Sequence, residues 1–305
     1  MHTLYGQLVE ATTVDGFKLH GFLAHPKTTS QRAWIIVHGV NGNFYGSSLL
    51  QFVAQTCLLN GDSALLINTR GHDLASFGSS EYPARLGSMF ETIKCALEDL
   101  KGWVDYAKSE GSPRVGIIAH SLGAVKSAYA LANKLEGIDR FIALSPPRLN
   151  TDLLLADPLK RAVFQEHLAQ AQSLCEAGND HHIMRVRFPL PNWVSAATFL
   201  DKYGSGATYD YLSFIADIQI PSLWVFGDSE VREGSVNFRD ADRQVRDAIQ
   251  QCAVKSSREK TDGADLSEPL HQVKVIDGAD HSYRDTREGL RQCISNWMTR
   301  QQISG

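Results

Sequence analysis

The chain begins with two extended stretches, Leu8 to Val14 and Lys18 to Ala24, parted by Asp15-Gly16. Asp-Gly between strand-like runs supplies the positive φ that a tight reversal needs, so an antiparallel hairpin is predicted first. The pattern then changes. Short apolar runs follow at Ala33–Val37, Ala64–Asn68, Val115–Ala119, Phe141–Leu144, Leu223–Phe226 and Val273–Ile276. Without polar alternation such a run has no face for water, so each reads as a strand covered on both sides. Between the runs, apolar residues recur three or four apart, the stripe that an amphipathic helix buries. The clearest case spans about Met89 to Ala107, with Phe90, Ile93, Leu97, Leu100 and Val104 in step. Others cover Leu49–Leu59, Ala124–Leu135, Arg239–Gln251 and Thr286–Met298. Strand alternating with helix forces crossover connections, which predicts an α/β protein with a mostly parallel central sheet flanked by helices.

The alternation breaks once. Between the strand ending near Ser145 and the one starting near Leu223 no strand is evident, and helical patterns cover Leu153–Cys175 and Trp193–Tyr203. The stretch is rich in aromatics, among them Phe164, Phe188, Trp193, Phe199, Tyr203 and Tyr211. The expected organisation is a core in two parts, 1–146 and 219–305, with a helical cap inserted at 147–218. A polar segment, Lys255 to Pro269, carries Ser-Ser and Asp-Gly and reads as a solvated loop.

Composition narrows the classes of function. The 305 residues are 43% hydrophobic and 21% charged, ordinary globular usage that excludes a disordered or fibrous chain. A net charge of −4 argues against nucleic acid and anionic membrane surfaces, which both require a basic face. The five cysteines are odd in number, scattered and free of any CxxC pair, so buried thiols in a reducing compartment are expected rather than disulfides or zinc. No basic-then-apolar leader opens the chain, and no window nears the ~18 apolar residues of a membrane span. The expectation is a cytoplasmic protein without cofactor or metal. Neither GxxxxGK[ST] nor a strand-linked GxGxxG is present, which argues against a nucleotide. His181-His182 are adjacent and point apart, with no acids clustered beside them.

The sharpest local signal is Gly116-Ile-Ile-Ala119-His120-Ser121-Leu122-Gly123-Ala124. An apolar strand runs into a small-residue turn holding a serine, and a helix follows; this is the context of a nucleophile elbow. Serine needs a base. His281 follows the last strand in Asp277-Gly-Ala-Asp280-His281, a loop that faces the same carboxyl edge of the sheet as the elbow. His120, next to the serine, is expected to pack against or orient the elbow. After the preceding strand, Gly227-Asp228-Ser229-Glu230-Val231-Arg232-Glu233 offers three acids, in the chain order Ser, acid, His. An oxyanion needs preorganised donors, and the loop His38-Gly39-Val40-Asn41-Gly42-Asn43 can aim the Val40 N–H beside that of Leu122.

These residues together resemble the α/β-hydrolase superfamily over nearly the whole chain. The resemblance rests on HGVNGN at 38–43, NTRGHD at 68–73, AHSLGA at 119–124, GDSE at 227–230 and GADHS at 278–282. Alanine at 119 replaces the usual first glycine of the elbow. The resemblance implies a triad acid three residues after the strand end, hence Glu230, where most relatives carry Asp; Asp228 is the alternative. It implies that the inserted segment is a lid and that His72, in the RGHD loop, supports the fold or lines the pocket. Serine at the elbow excludes the dehalogenase and epoxide-hydrolase branches, which need a carboxylate there. The expected function is a serine hydrolase acting on a small or medium ester, thioester or lactone, with Trp193 or Phe199 as candidates for the acyl pocket. An acyltransferase or C–C-bond hydrolase would use the same constellation, and a non-catalytic binder on this fold is the reading from another class.

Overall fold

The computed structural model describes residues 3–78, 84–205, 209–259 and 269–303. Strands β1 (Gln7–Thr12) and β2 (Lys18–Ala24) pair antiparallel with Thr12 opposite Lys18. Their turn is locked by Thr13, whose Oγ1 accepts the Phe17 N–H, and by Gly16 at a φ of 86°. Along the chain follow β3 (Arg32–Val37), α1 (Ser48–Leu59), β4 (Ser63–Ile67) and a small ribbon of β5 (Ser76–Phe77) with β6 (Arg85–Leu86). Then come α2 (Ala96–Ser109), β7 (Arg114–His120), α3 (Leu122–Ala132) and β8 (Arg140–Leu144). The inserted segment holds α4 (Thr151–Ala156), α5 (Arg161–Glu176), β9 (Ile183–Val186), β10 (Asn192–Ser195) and α6 (Ala196–Tyr203). The chain continues with β11 (Ser222–Gly227), α7 (Asp228–Glu233), α8 (Ala241–Glu259), β12 (His271–Ile276) and α9 (Arg287–Ile303).

Eight strands form one sheet in the order β1-β2-β4-β3-β7-β8-β11-β12. From β4 to β12 every pairing is parallel; only β1 and β2 run against their neighbours. The sheet is covered on both faces, which is why β3, β4, β8 and β11 are buried at every position. In β3 the pleat sends Ile35 and Val37 into the layer with Trp103 and Val125, and Trp34 and Ile36 into the layer with Val53 and Ile294. Among the described residues no helix is long and apolar enough to cross a membrane.

Four expectations about elements are corrected. The helix foreseen from Met89 begins only at Ala96, after a 3-10 turn at Ile93–Cys95. The Ile93 N–H is taken by the Asp201 carboxylate of the insertion, and Glu91 turns inward to two lysines, so tertiary contacts override a good helical period there. The pattern at Leu153–Cys175 is two helices, because Pro158 offers no N–H and pushes Asp157 out of the helical region. The inserted segment also contains strands: β9 and β10 form a hairpin, with Trp193 opposite Arg185 rather than on a helix. Lys255–Glu259 continue α8 instead of opening a loop, and 260–268 lie outside the described residues.

The aromatics of the inserted segment serve two cores. Phe164, Phe188 and Phe199 gather with Leu154, Met184 and Val194 in a cluster of the segment's own. Tyr209, Tyr211, Phe214 and Ile218 instead join the sheet's core, where Tyr211 stacks on Trp224 at 5.4 Å. Phe199→Ala is expected to cost about 3–5 kcal/mol, since it opens a cavity inside a closed cluster. Trp193→Ala, at a half-exposed position, is expected to cost under ~1 kcal/mol. Urea denaturation followed by circular dichroism measures both; equal losses would contradict this division.

Candidate active site

At the end of β7 the chain reverses through Ser121, at φ 55° and ψ −127°, straight into α3. The turn is tight enough that a Cβ on Gly123 would lie 2.3 Å from the His38 carbonyl oxygen, so only glycine lets the helix start come this close to the loop after β3. Gly39 of that loop also lies close to Ser121, where a Cβ would meet the serine Cβ at 3.0 Å. Val40 of the loop and Leu122 of the helix start line the same cavity. Among the described residues neither the Val40 nor the Leu122 N–H donates to an acceptor in the protein.

His281 lies between β12 and α9 and reaches Ser121 Oγ with Nε2 at 3.1 Å. Its Nδ1 stands 2.5 Å from Glu230 Oε1. Glu230 is the third residue of α7 and curls back on the helix start, as glutamate at this position commonly does. Its Oε2 accepts the Gly227 N–H at 2.9 Å and the Ser145 hydroxyl at 2.5 Å, which leaves Oε1 for the imidazole. Asp228, the first residue of the same helix, instead pairs with Arg232 one turn on, at 2.7 Å. Of the two acids, the structure brings Glu230 to His281 and not Asp228.

Ser121, His281, Val40 and Leu122 stand at the floor of a cavity of about 560 Å³ whose roof is supplied by Val186, Pro189, Leu190, Val194 and Tyr203. Trp193 and Phe199 are not part of it. Strand alternation turns Val194 inward and Trp193 to the other face of β10, and Phe199 is sealed in the cluster above the roof. The sequence pattern leads one to expect Trp193 or Phe199 at an acyl pocket; the structure places neither at this cavity, where Pro189, Leu190, Pro191 and Val194 stand instead.

No family model and no curated protein sequence matches the chain. Solved structures do. DcsB in complex with a substrate analogue aligns with a TM-score of 0.66 at 15% identity, covering 97% of this chain and 99% of that one. An esterase of Pyrococcus furiosus aligns at 0.60 and 16% identity, covering 97% and 91%. Est1E of Butyrivibrio proteoclasticus, solved with ferulic acid bound, aligns at 0.61 and 18% identity, covering 97% and 100%. The chain has the α/β-hydrolase fold.

On this hydrolase scaffold several side chains around the site carry no sequence signal of their own. Ser145 closes β8 with a φ of 48° and holds Glu230, while Tyr283 OH lies 2.8 Å from Ser145 Oγ and 3.1 Å from the Val225 carbonyl. Only its place at the carboxyl end of a buried strand marks Ser145 in the sequence. The RGHD loop lies outside the cavity and braces its rim: Asp73 accepts from Asn43 and Tyr45, and Asn68 Oδ1 accepts the Phe44 N–H.

His120 orients the loop that bears His281. Its Nε2–H donates to the His281 carbonyl at 2.9 Å, with ring centroids 4.7 Å apart. Burial, then the charge of His281, hold its pKa down at about 3, so it is neutral at pH 7. An unfolded histidine titrates near 6.5. The unfolded chain therefore takes up a proton that the native one refuses, and this contribution to stability is present above about pH 6.5 and lost as pH falls toward 3. His120→Gln is expected to flatten the loss of unfolding free energy between pH 7 and 4.5, read from urea titrations against the unaltered protein. A parallel slope in the variant would contradict a neutral native His120.

Proposed function

We propose that this chain is a serine hydrolase that cleaves a small or medium carboxylic ester, thioester or lactone through an acyl-enzyme. The observation that carries this reading is the hydrogen-bonded line Glu230–His281–Ser121 on a cavity floor flanked by two unused N–H groups. A cavity of about 560 Å³ is in the range that holds a small molecule. Esterases among the structural neighbours support the same reaction class.

In this mechanism Ser121 Oγ attacks the carbonyl carbon while its proton passes to His281 Nε2. The carbonyl oxygen becomes an oxyanion between the N–H groups of Val40 and Leu122. Collapse breaks the bond to the alcohol, thiol or ring oxygen, which takes the proton returned from Nε2 and departs, or in a lactone stays on the acyl chain as a hydroxyl. Water then repeats the sequence on the acyl-serine and releases the acid. Glu230 keeps the Nδ1 proton in place and offsets the imidazolium charge. The partner this implies is a small ester-like molecule, with no cofactor in any step.

A fluorophosphonate probe is expected to label the protein at Ser121. Ser121→Ala is expected to abolish labelling and lower p-nitrophenyl ester turnover by several orders of magnitude, since such groups act as a unit. A variant keeping more than a few per cent of activity would end this reading, and absence of labelling in the unaltered protein would favour a binder.

The acid separates in a different assay. Glu230→Gln is expected to cost roughly three to four orders of magnitude in kcat, with the imidazole left in the wrong tautomer. Asp228→Asn, which only opens a surface pair with Arg232, should stay within a few-fold. The reverse ranking would reassign the acid.

A further inference from the structure

Three charged side chains meet where the inserted segment joins the core. Lys202 of α6 lines the catalytic cavity, and its Nζ lies 3.1 Å from Glu91 Oε1. Lys126 of α3 reaches the other oxygen of the same carboxylate at 2.9 Å and Thr69 Oγ1 at 2.9 Å. The side chains of Lys202, Lys126 and Glu91 are only 5%, 2% and 2% exposed. Burial alone would lift the Glu91 carboxyl, but the two ammonium groups bring it down to about 2, so it stays ionised.

Two buried ammonium groups therefore share one carboxylate. The other acids nearby make their hydrogen bonds to other groups, though Asp201 and Asp99 still feel the charges of Lys202 and Lys126. Asp99 pairs with Arg70, which Asp15 also meets, and Asp201 accepts the Ile93 N–H and the Tyr209 hydroxyl. A bridge serving only to fasten the insertion to the core would close with one lysine and one glutamate. Here the second lysine is the one on the cavity wall. Its ammonium has three donors; Glu91 takes one, and the Ser88 carbonyl at 3.5 Å is at the limit of a second.

We propose that the cavity accepts an ester, thioester or lactone that also bears a carboxylate, and that Lys202 is the receptor for this group. The inference rests on the serine-hydrolase reading for the reaction but not for the binding. A ligand carboxylate would accept from the ammonium donor of Lys202 that Glu91 and the Ser88 carbonyl leave over. The remaining walls, Leu149, Val186, Leu190 and Val194, are apolar and suit the chain between carboxylate and scissile carbonyl.

The test uses Ser121→Ala protein, which binds without turnover, and two ligands of like size: benzyl hydrogen glutarate, which is anionic, and benzyl methyl glutarate, which is neutral. Calorimetry is expected to find the anionic ester bound about tenfold or more tightly, as for an answered buried charge. Adding Lys202→Met should bring the two affinities within about twofold, and adding Lys202→Arg should restore the preference. Lys202→Met leaves Lys126 and Glu91 as a balanced pair, so the fold is expected to hold; Lys202→Gln serves if it does not. A merely structural lysine would change melting temperature and leave the preference intact. Equal affinities in Ser121→Ala, no binding of either ester, or a preference that survives removal of the Lys202 charge would each overturn the inference. Fluorophosphonate labelling of the unaltered protein without the preference defeats this inference alone. The preference without labelling defeats the hydrolase reading instead.

Discussion

The site depends on one tight reversal of the backbone at Ser121. Positive φ at a residue with a Cβ costs roughly 1–3 kcal/mol and persists only where its surroundings over-determine it. Here they do. β7 is paired along its length with β3 and β8, so the strand cannot slide to relieve the turn. The Ser121 N–H is fixed to the Leu144 carbonyl at 2.8 Å, and the start of α3 is pressed on the His38 carbonyl where Gly123 has no side chain. Relaxing the turn would break sheet pairing and helix packing together. The strain is thus spread over the strongest part of the fold, and the serine is left exposed to the cavity.

The same sheet edge positions the imidazole and the acid. β8, β11 and β12 end side by side, and a Cβ on Gly227 would fall 2.6 Å from the Ala279 carbonyl. That close approach sets the spacing between Glu230 and His281. Each oxygen of Glu230 then has a distinct task, one held by Ser145 and the Gly227 N–H and the other facing Nδ1. A carboxylate with its second oxygen fully bonded cannot rotate away, which keeps the His281 imidazole aligned on Ser121.

Above this floor the insertion has its own apolar cluster and is joined to the core both by Tyr209, Tyr211 and Phe214, which pack into the sheet's core, and by polar contacts at its base. The Ser195 N–H donates to the Met89 carbonyl, Asp201 takes the Ile93 N–H, and Lys202 enters the Glu91 pair. Asn41 and Asn192 exchange amide hydrogen bonds between the loop after β3 and the hairpin. The roof is therefore tied to the loop that carries Val40, and its charge and shape act on whatever occupies the cavity.

Much of the molecule is legible along the chain. The strands of the central sheet follow from unbroken apolar runs, because burial on both faces removes every polar position. The α/β class follows from their alternation with helices. Ser121, His281 and the acidic loop stand at strand ends that the topology brings to one edge, so their proximity is implied once the sheet is parallel. What the sequence by itself leaves open is decided by packing across large sequence separations. Glu230 rather than Asp228 meets His281 because a short helix curls its third residue back, and that needs Ser145 from another strand to hold it. Trp193 turns from the cavity because a four-residue strand replaces the start of a helical pattern, and so short a segment carries too few positions to show its period, while Phe199 stays on a helix but is drawn into the insertion's own cluster. The helix after Glu91 starts late because two lysines, 35 and 111 residues away, draw that carboxylate inward. Local pattern reports which face of a segment avoids water; which partner covers that face, and which charge answers which, is settled only where distant segments meet.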